Sequence, residues 1–436
     1  MKTHFKFMFI GAGSTSFTLR LISDILHEED FILSGELRLV DIDPKALDNA
    51  YEAVSVMIKT AGRDFKVSKH IDFREAAPGI DFVFFTFVTG SYPSWRKDIE
   101  ICTKHGVLQS VGDTIGPGGI IRSIRNVPVV VEVCKELEKV APEAWAINYS
   151  NPEGALCLAI ESYTNIKTFG LCHGTPDTVK MLAANVYKTD AENLKFSAAG
   201  INHLTWITKL SIDGVDVYPQ LKEKLIESGL AEKEPISYDL FNIYGLYPAP
   251  GDRHVGEFFP YFMKAQVLEE KDYEWKNVDF DLMDKWRSGS FNRIEALKKG
   301  EIGYKEIGTS GETATHFIRA LATGKPTVEM CNVKNRGYIE NVSDGMIVEI
   351  PSYVDEFGLH PQKIGKLPDA VAAKCECLGR EYKLIVDGAV ECDKNKILAA
   401  MMIDPLCSNC NYPEKLLDDL IDAYLPLLPE QWNKNK

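Results

Sequence analysis

The feature that most constrains the fold is an apolar run that leads directly into a glycine turn. Phe7-Met-Phe-Ile10 is followed by Gly11-Ala-Gly13, and residues 18–27 then have the pattern of an amphipathic helix. Strand, glycine turn and helix in this order are typical of the first unit of a dinucleotide-binding α/β domain. The glycines allow a tight turn and let backbone N–H groups approach a pyrophosphate at the helix N-terminus. The start of the chain is therefore predicted to bind a nucleotide.

A second apolar segment supports this prediction. Asp41 ends Leu37-Arg-Leu-Val40, about where an acidic residue would bind a ribose 2′-hydroxyl, and such a residue favours NAD over NADP. The third glycine of the fingerprint is missing, because Phe17 occupies its position. A glycine turn in an unrelated α/β protein is the alternative interpretation. The residues predicted here to bind NAD are Gly11, Gly13, Ser14 and Asp41.

The first half of the chain alternates short apolar runs with amphipathic stretches, which predicts a doubly wound parallel sheet with helices on both faces. Thr86 and Asn151 each follow a predicted strand and are expected to line the cofactor cleft, although a simple turn also explains Asn151-Pro152. We predict strands at 5–10, 36–40, 82–88, 145–147 and 166–171, and helices at 18–27, 44–59, 98–105, 121–137 and 152–164.

Beyond residue 196 the pattern becomes that of an α+β region with a second, mixed sheet. We predict two domains, 1–195 and 196–436, with the active site in the cleft between them. The predicted strands are 196–201, 205–212, 338–342 and 347–351, the predicted helices are 220–233, 281–299 and 313–323, and residues 365–426 are expected to be mainly helical.

The 436-residue chain carries a net charge of −14. Nucleic-acid binding is therefore not expected, and an anionic substrate would need local Arg or His side chains. No apolar run reaches the length of about 20 residues that a membrane helix requires. Ten scattered cysteines, with no signal sequence, are typical of reduced thiols in a cytoplasmic protein. Cys407 and Cys410 have zinc-like spacing, but no second pair accompanies them.

Cys172 and His203 are candidate metal ligands, because each is expected at the end of a strand. A thiolate with an imidazole suits Mn, Fe, Co, Ni or Zn and leaves other positions open to water or substrate. Their spacing is not that of a zinc finger, so packed core residues are the alternative at this point.

Several motifs occur in order along nearly the whole chain: Gly11-Ala-Gly-Ser14, Asp41-Ile-Asp43, Gly90-Ser-Tyr-Pro-Ser-Trp-Arg96 with Asp98, Gly112-Asp-Thr-Ile-Gly-Pro-Gly-Gly119, Asn148-Tyr-Ser-Asn-Pro152, Gly170-Leu-Cys-His-Gly174, Gly200-Ile-Asn-His203 and Asn335-Arg-Gly-Tyr-Ile-Glu-Asn341. Together they resemble glycoside hydrolase family 4, the NAD- and metal-dependent glycosidases. The resemblance implies a Rossmann-type domain followed by an α+β domain, as in lactate and malate dehydrogenases. It also implies that Cys172 and His203 hold a divalent metal, usually Mn²⁺, with Co²⁺, Ni²⁺ or Fe²⁺ as alternatives.

The chemistry implied by the resemblance differs from two-carboxylate glycoside hydrolysis. NAD⁺ takes a hydride from the sugar C3, and the metal polarises the resulting ketone so that a base can remove the C2 proton. The glycosidic oxygen is then eliminated, water adds, and NADH returns the hydride. The reaction is therefore a hydrolysis without net oxidation.

The residues after the metal cysteine indicate the sugar. Cys-His-Gly, at 172–174, resembles the branch of the family that acts on α-galacturonides or α-glucuronides, whereas Cys-His-Ser is more typical of its α-galactosidases and α-glucosidases. A sugar-acid glycoside is therefore the expected small-molecule partner. A neutral α-glycoside is the alternative substrate, and a hydroxy-acid dehydrogenase or a non-catalytic NAD-binding regulator are the more distant alternatives.

The remaining site predictions concern substrate binding and proton transfer. Arg253 is the candidate for the uronate carboxylate, because a guanidinium fork suits it, although an exposed loop arginine is equally compatible with the sequence. His173 could protonate the leaving oxygen or orient a metal ligand. Some family members use a Tyr as the base, which we could not align. The substrate-binding candidates are Arg96, Asn151 and Arg253, and the proton-transfer candidates are His173, Asp252 and His254. A homodimer or homotetramer is expected.

Overall fold

The computed structural model describes residues 2–14, 17–263 and 276–434. Its strands are β1 (His4–Ile10), β2 (Ser34–Val40), β3 (Asp64–His70), β4 (Phe82–Phe85), β5 (Trp145–Asn148), β6 (Lys167–Gly170), β7 (Leu194–Ile201), β8 (Leu204–Ile212), β9 (Val215–Asp216), β10 (Tyr247–Ala249), β11 (Thr327–Lys334), β12 (Ile347–Asp355) and β13 (Gly358–Pro361). In the described part of the chain, these 13 strands form one sheet in the order β10-β8-β7-β12-β11-β6-β5-β4-β1-β2-β3, with β13 beside β12 and β9 beside β8.

The helices surround this sheet, with α5, α6 and α15 in one packed group and α1, α2 and α13 in another. They are α1 (Phe17–His27), α2 (Pro44–Ala61), α3 (Phe73–Ala76), α4 (Ser91–Lys104), α5 (Gly116–Val140), α6 (Glu153–Tyr163), α7 (Gly174–Leu182), α8 (Leu221–Glu227), α9 (Leu230–Lys233), α10 (Pro235–Tyr244), α11 (Asp252–Val255), α12 (Phe280–Lys298), α13 (Tyr304–Ile307), α14 (Ala314–Thr323), α15 (Asp369–Glu391), α16 (Lys394–Ile403) and α17 (Pro413–Tyr424). No helix among the described residues is long and apolar enough to cross a membrane.

The first six strands are parallel and lie in the order β3-β2-β1-β4-β5-β6. The strand order reverses between β1 and β4, and ligands of such sheets bind outside the carboxyl ends of the strands at this point. Apolar packing fixes the reversal, since Phe9 and Phe84 face each other across β1 and β4 with ring centroids 4.8 Å apart. The predicted doubly wound parallel sheet is confirmed.

The strands of the second half continue the same sheet in antiparallel orientation. β11 joins β6 through the pair Asn332 and Gly170, and β7 joins β12 through Glu349 and Gly200. The prediction of a separate second sheet is therefore wrong in this respect, although the second half is mixed α/β as expected. The domain boundary after residue 195 stays a prediction.

Four other details of the structure differ from the sequence predictions. Residues 338–342 form no strand but a loop around the side chain of Asn335, which donates to the carbonyls of Ile339 and Val342 at 3.2 and 2.7 Å. The edge strand β3 was missed because lysines and other polar residues interrupt its apolar pattern, as is common for an edge strand. Predicted helix 98–105 begins earlier, at Ser91, and predicted helix 220–233 divides at Gly229, which has a φ of +70°.

Candidate active site

The glycine turn lies at the carboxyl end of β1, beside the point of strand reversal. Gly11 has a φ of +85°, and a Cβ there would lie 2.5 Å from the Cβ of Phe87. A Cβ at Gly13 would lie 2.6 Å from the Cβ of Ala46. Ser14 closes the turn by donating its N–H to the Gly11 carbonyl at 2.9 Å. Both positions require glycine, and such a cradle fits the close approach of a dinucleotide pyrophosphate.

Asp41 and Thr86 both lie next to this turn but differ in what they can offer a ligand. The Asp41 carboxylate accepts the N–H groups of Gly13 and Asp43 at 2.8 and 2.9 Å and has further acceptor capacity at the edge of the sheet. The Thr86 hydroxyl is buried and donates to the Ile10 carbonyl at 3.1 Å, which ties β4 to β1. Asp41 is therefore the better candidate of the two for direct contact with a ribose.

Cys172 and His203 each lie just beyond the end of a strand, Cys172 after β6 and His203 after β7. Cys172 follows β6, is half-buried, and accepts the Gly174 N–H at 3.4 Å. His203 lies in the turn between β7 and β8 and has a φ of +62°. Such a backbone conformation is uncommon for a residue other than glycine, which points to a use for the imidazole there. His173, next to Cys172, lies close enough to His203 to act on its pKa.

The tautomer of His203 follows from its hydrogen bonds. Its Nδ1 lies 2.6 Å from the hydroxyl of Thr114, which donates its own proton to Asp113 at 2.7 Å. The Thr114 oxygen is therefore an acceptor for His203, so Nδ1 carries the proton and Nε2 presents a lone pair. This is the arrangement that usually holds a metal-binding histidine.

His254 packs against His203. The pairing of β10 with β8 brings the two segments together, and the ring centroids are 4.4 Å apart at an angle of 64°. Burial, and secondly the neighbouring His203, lower the pKa of His254 to about 3. His254 is therefore neutral at physiological pH, and burial opposes its protonation.

Asp113 lies at the centre of this group and was assigned no role from the sequence. Its carboxylate accepts Asn151 Nδ2 at 2.9 Å and lies 3.6 Å from the guanidinium of Arg122. Although burial opposes ionisation, Arg122 and the two histidines lower the pKa of Asp113. The signal that could have identified it is the polar pair Asp113-Thr114 within a glycine-rich run just ahead of α5.

His173 forms a second polar contact at the entrance to the site. Its Nδ1 lies 2.7 Å from the carboxylate of Glu312, which is almost completely buried. Glu312 raises the pKa of His173, so the protonated imidazole is favoured. The sequence predicted a role for His173 but not its partner, which is distant in the chain.

Arg253 lies on α11 and contacts the loop that leads to Asp113. Its guanidinium donates to the Ser110 carbonyl at 3.2 Å, and the Ser110 hydroxyl donates in turn to the Arg253 carbonyl. The side chain is exposed, so its other N–H groups are open to a ligand.

Two predicted site residues have other partners. The Asp252 carboxylate binds the N-terminus of α10, accepting the N–H groups of Ile236 and Ser237 at 2.9 and 2.7 Å. Arg96 pairs with Asp284 on α12 at 2.8 Å. The structure therefore does not bring Asp252 and Arg96 together with Asp113, because helix capping and a surface ion pair use their charged groups.

The donors at Cys172 and His203 fit a divalent metal. Among the described residues, no group of three or more His, Cys, Asp or Glu side chains is arranged to hold a metal ion. One thiol and one imidazole would therefore leave most coordination positions of the metal to oxygen ligands. The Oδ1 of Asn151 is a buried oxygen without a partner in this region. Thiol, imidazole and oxygen donors together suit a transition metal with open positions.

Comparison with known proteins identifies the family. The family model for "Family 4 glycosyl hydrolase" matches residues 6–188, and the model for "Family 4 glycosyl hydrolase C-terminal domain" matches residues 198–407. The chain belongs to glycoside hydrolase family 4. It is therefore a glycosidase, as the motifs indicated.

Individual relatives of this family 4 glycosidase cover its full length. It is 34% identical to an alpha-galacturonidase of Thermoanaerobacter italicus, over 96% of each chain. It is 30% identical to an alpha-galactosidase of Bacillus subtilis, over 98% of this chain and 99% of the relative. Both names denote glycosidases, and they differ in the substrate.

Solved structures confirm the fold. The lplD protein of Bacillus subtilis matches with a TM-score of 0.84 and 28% identity, over 96% of this chain and 99% of the other. A 6-phospho-alpha-glucosidase from gut microorganisms, solved in complex with NAD and Mn²⁺, matches with a TM-score of 0.82 and 21% identity, over 98% and 99%. Malate dehydrogenase of Plasmodium falciparum matches with a TM-score of 0.53 and 14% identity, over 89% and 99%. The predicted dehydrogenase-like architecture is therefore confirmed.

Proposed function

We propose that this family 4 glycosidase hydrolyses α-linked uronides, with α-galacturonides as its substrates, and that it uses NAD⁺ and Mn²⁺. The observation that carries the substrate class is the position of Arg253 over the loop before Asp113. Because the chain has a net charge of −14, it needs a local cation to bind an anionic sugar. A guanidinium near Asp113 can bind a sugar carboxylate through two hydrogen bonds. The 34% identity to an alpha-galacturonidase favours the galacturonide.

The residues described above suggest where each group would bind. We assign the cofactor to Gly11, Gly13, Ser14 and Asp41 in the predicted domain 1–195, with Thr86 supporting the turn. Cys172 and His203 would hold the metal. When bound, NAD⁺ would accept and return a hydride, and Mn²⁺ would make the neighbouring C–H acidic. A homodimer or homotetramer in the cytoplasm completes the proposal.

The protein's own groups supply the proton transfers. The Asp113 carboxylate, held by Asn151 and Thr114 and kept ionised by Arg122, is our candidate for the base that removes the sugar proton. His173, whose pKa is raised by its hydrogen bond with Glu312, is the candidate acid for the leaving oxygen. Neutral His254 packs against His203, and its low pKa makes it a weaker candidate for proton transfer than Asp113. These assignments replace Asp252, whose carboxylate caps α10.

The test compares nitrophenyl α-galacturonide with nitrophenyl α-galactoside in the presence of NAD⁺, Mn²⁺ and a thiol reductant. We expect the galacturonide to be preferred and all hydrolysis to stop when the cofactor or the metal is removed. Arg253→Ala should reduce kcat/KM for the galacturonide about 10- to 100-fold, because a charge-assisted hydrogen bond is lost. The galactoside rate should stay nearly unchanged. Arg96→Ala is the matched control, since Arg96 pairs with Asp284.

The second candidate function is α-galactosidase activity, favoured by the 30% identity to the Bacillus subtilis enzyme. A galactoside hydrolysed faster than the galacturonide, with equal loss on both substrates in Arg253→Ala, would favour this function over our proposal. Net accumulation of NADH during turnover would instead indicate a dehydrogenase, because the glycosidase returns its hydride.

A further inference from the structure

A single buried carboxylate spans the two segments that carry the metal-ligand candidates. Glu349 lies on β12 and is 1% exposed. One of its oxygens accepts the hydroxyl of Thr175 at 2.7 Å, and the other accepts Asn202 Nδ2 at 3.2 Å. Thr175 is the second residue of α7 and directly follows Cys172-His-Gly174, and Asn202 directly precedes His203. Glu349 therefore connects the Cys172 segment to the His203 segment.

The carboxylate of Glu349 lies where neighbouring strands of the sheet share the fewest paired residues. The parallel and antiparallel halves meet through the pair Asn332 and Gly170, and β12 meets β7 through the pair Glu349 and Gly200. Few backbone hydrogen bonds therefore hold the two ligand segments in register. We therefore expect hydrogen bonds between side chains to fix the position of the Cys172 segment relative to the His203 segment.

A second buried carboxyl completes the connection. Glu153, the first residue of α6, accepts Asn332 Nδ2 at 2.7 Å and Asn202 Nδ2 at 3.2 Å. The Asn332 amide also lies 3.3 Å from Glu349. These four side chains are buried and contact residues next to the metal-ligand candidates, but they touch neither candidate directly in the contacts above. Buried networks of this kind are costly unless their geometry is kept, so they hold the backbone rigidly.

We propose that Glu349 is a positioning residue which sets the separation of Cys172 and His203 and thereby the affinity and coordination geometry of the metal site. The inference rests on the proposed function, since it takes these two residues as the metal ligands. Loss of groups that orient metal ligands typically weakens metal binding about 10- to 100-fold. Glu349 acts through Thr175 and Asn202, so the removal of either connection should have a similar effect.

The experiment measures Mn²⁺ binding to the full chain with NAD⁺, from the loss of the free-ion EPR signal, for two variants. Glu349→Gln keeps the shape but replaces one acceptor oxygen with an NH₂ group. Thr175→Val removes only the hydroxyl and changes no charge. We expect both variants to bind Mn²⁺ about 10- to 100-fold more weakly, and the visible spectrum of the Co²⁺-loaded variants to differ from that of the parent.

Glu381→Gln is the matched control, because Glu381 is a fully buried glutamate on α15 with no hydrogen bond to either ligand segment in the described contacts. Its Mn²⁺ affinity should equal that of the parent. Parent-like Mn²⁺ binding by Thr175→Val and Glu349→Gln would overturn the inference while leaving the proposed function intact. Weakening by Glu349→Gln alone would also overturn it, because charge rather than position would then be the cause. A parent chain that bound no Mn²⁺ would overturn both.

Discussion

The glycine turn and the cluster around Asp113 lie at the same edge of the sheet, but the chain builds them in different ways. The turn consists of one segment, and its shape depends on the absence of side chains at Gly11 and Gly13. The cluster consists of side chains from several distant segments, such as Asp113, Asn151, His203 and His254. The first is a backbone site that any nucleotide-binding protein of this fold could have, whereas the second carries the specific chemistry. Substitutions in the two regions should therefore have different consequences.

The largest effect is expected at Cys172. Cys172→Ser should lower kcat for galacturonide hydrolysis by about 1000-fold or more, because a metal that polarises the substrate contributes several kcal/mol. NAD⁺ affinity should not change, since the glycine turn is separate. Initial rates and Mn²⁺ titrations test this, with Cys410→Ser as the control because Cys410 is also half-buried. Parent-like activity of Cys172→Ser would remove Cys172 from the metal site.

The next largest effect is expected at Asp113, and it distinguishes Asp113 from Asp252. Asp113→Asn should lower kcat about 100- to 1000-fold through loss of a base. Asp252→Asn should instead reduce the free energy of unfolding by about 1 kcal/mol, because Asp252 caps α10. Steady-state kinetics and urea unfolding of both variants test the comparison. The reverse pattern would restore Asp252 to the catalytic role that the sequence suggested.

Glu257, which contacts the backbone just before Asp113, should make the free energy of unfolding depend on pH. It is buried, accepts the N–H groups of Val111 and Gly112, both at 2.9 Å, and burial raises its pKa to about 8. The folded state thus binds the proton more tightly than the unfolded chain. This contribution to stability is fully present below the ordinary glutamate pKa of 4.5 and is lost as pH rises towards about 8.

Glu257→Gln should therefore flatten the dependence of unfolding free energy on pH in this range, by a few kcal/mol in total. Urea unfolding of parent and variant at several pH values measures it. Parallel curves for the two proteins would show that Glu257 is ionised in the folded state across the whole range.

The smallest effect is expected in the glycine turn. Gly13→Ala should weaken NAD⁺ binding about 10-fold, because the added methyl group would lie 2.6 Å from the Cβ of Ala46 and displace the turn. Mn²⁺ binding should be unchanged. Calorimetric titration with NAD⁺ tests this, and Gly289→Ala on α12 is the control, because a Cβ there meets nothing within 4 Å. Equal NAD⁺ affinity in all three proteins would contradict the cofactor assignment.

The contrast between the two regions also explains what the sequence could predict. The order of consecutive residues was enough to predict β1, the glycine turn and Asp41, because the shape of a backbone site depends on residues that are neighbours in the sequence. Asp113 was missed because its partners Arg122 and Asn151 join it only in the folded sheet. Asp252 was predicted to be catalytic because its segment reaches the site, but its carboxylate turns to α10.

The same reasoning applies to the fold. β11 contains Glu329, Asn332 and Lys334 among its apolar residues, and Asn332 is buried only because Glu153 and Glu349 lie opposite it. A buried polar residue interrupts the apolar pattern of a strand, and the sequence does not reveal the distant partner that allows its burial. Such a strand is therefore difficult to predict. The spacing of Cys172 and His203 alone is that of packed core residues, and only the family motifs make the two residues candidate metal ligands.

The central claim is that the Asp113 cluster removes a proton from the sugar C2 during glycoside cleavage. The most direct test is to run the reaction with NAD⁺ and Mn²⁺ in D₂O and to examine the released sugar acid by NMR. The account predicts one deuterium at C2 of the product, since water returns a solvent proton to that carbon. A product with its original hydrogen at C2 would show direct displacement and contradict the account.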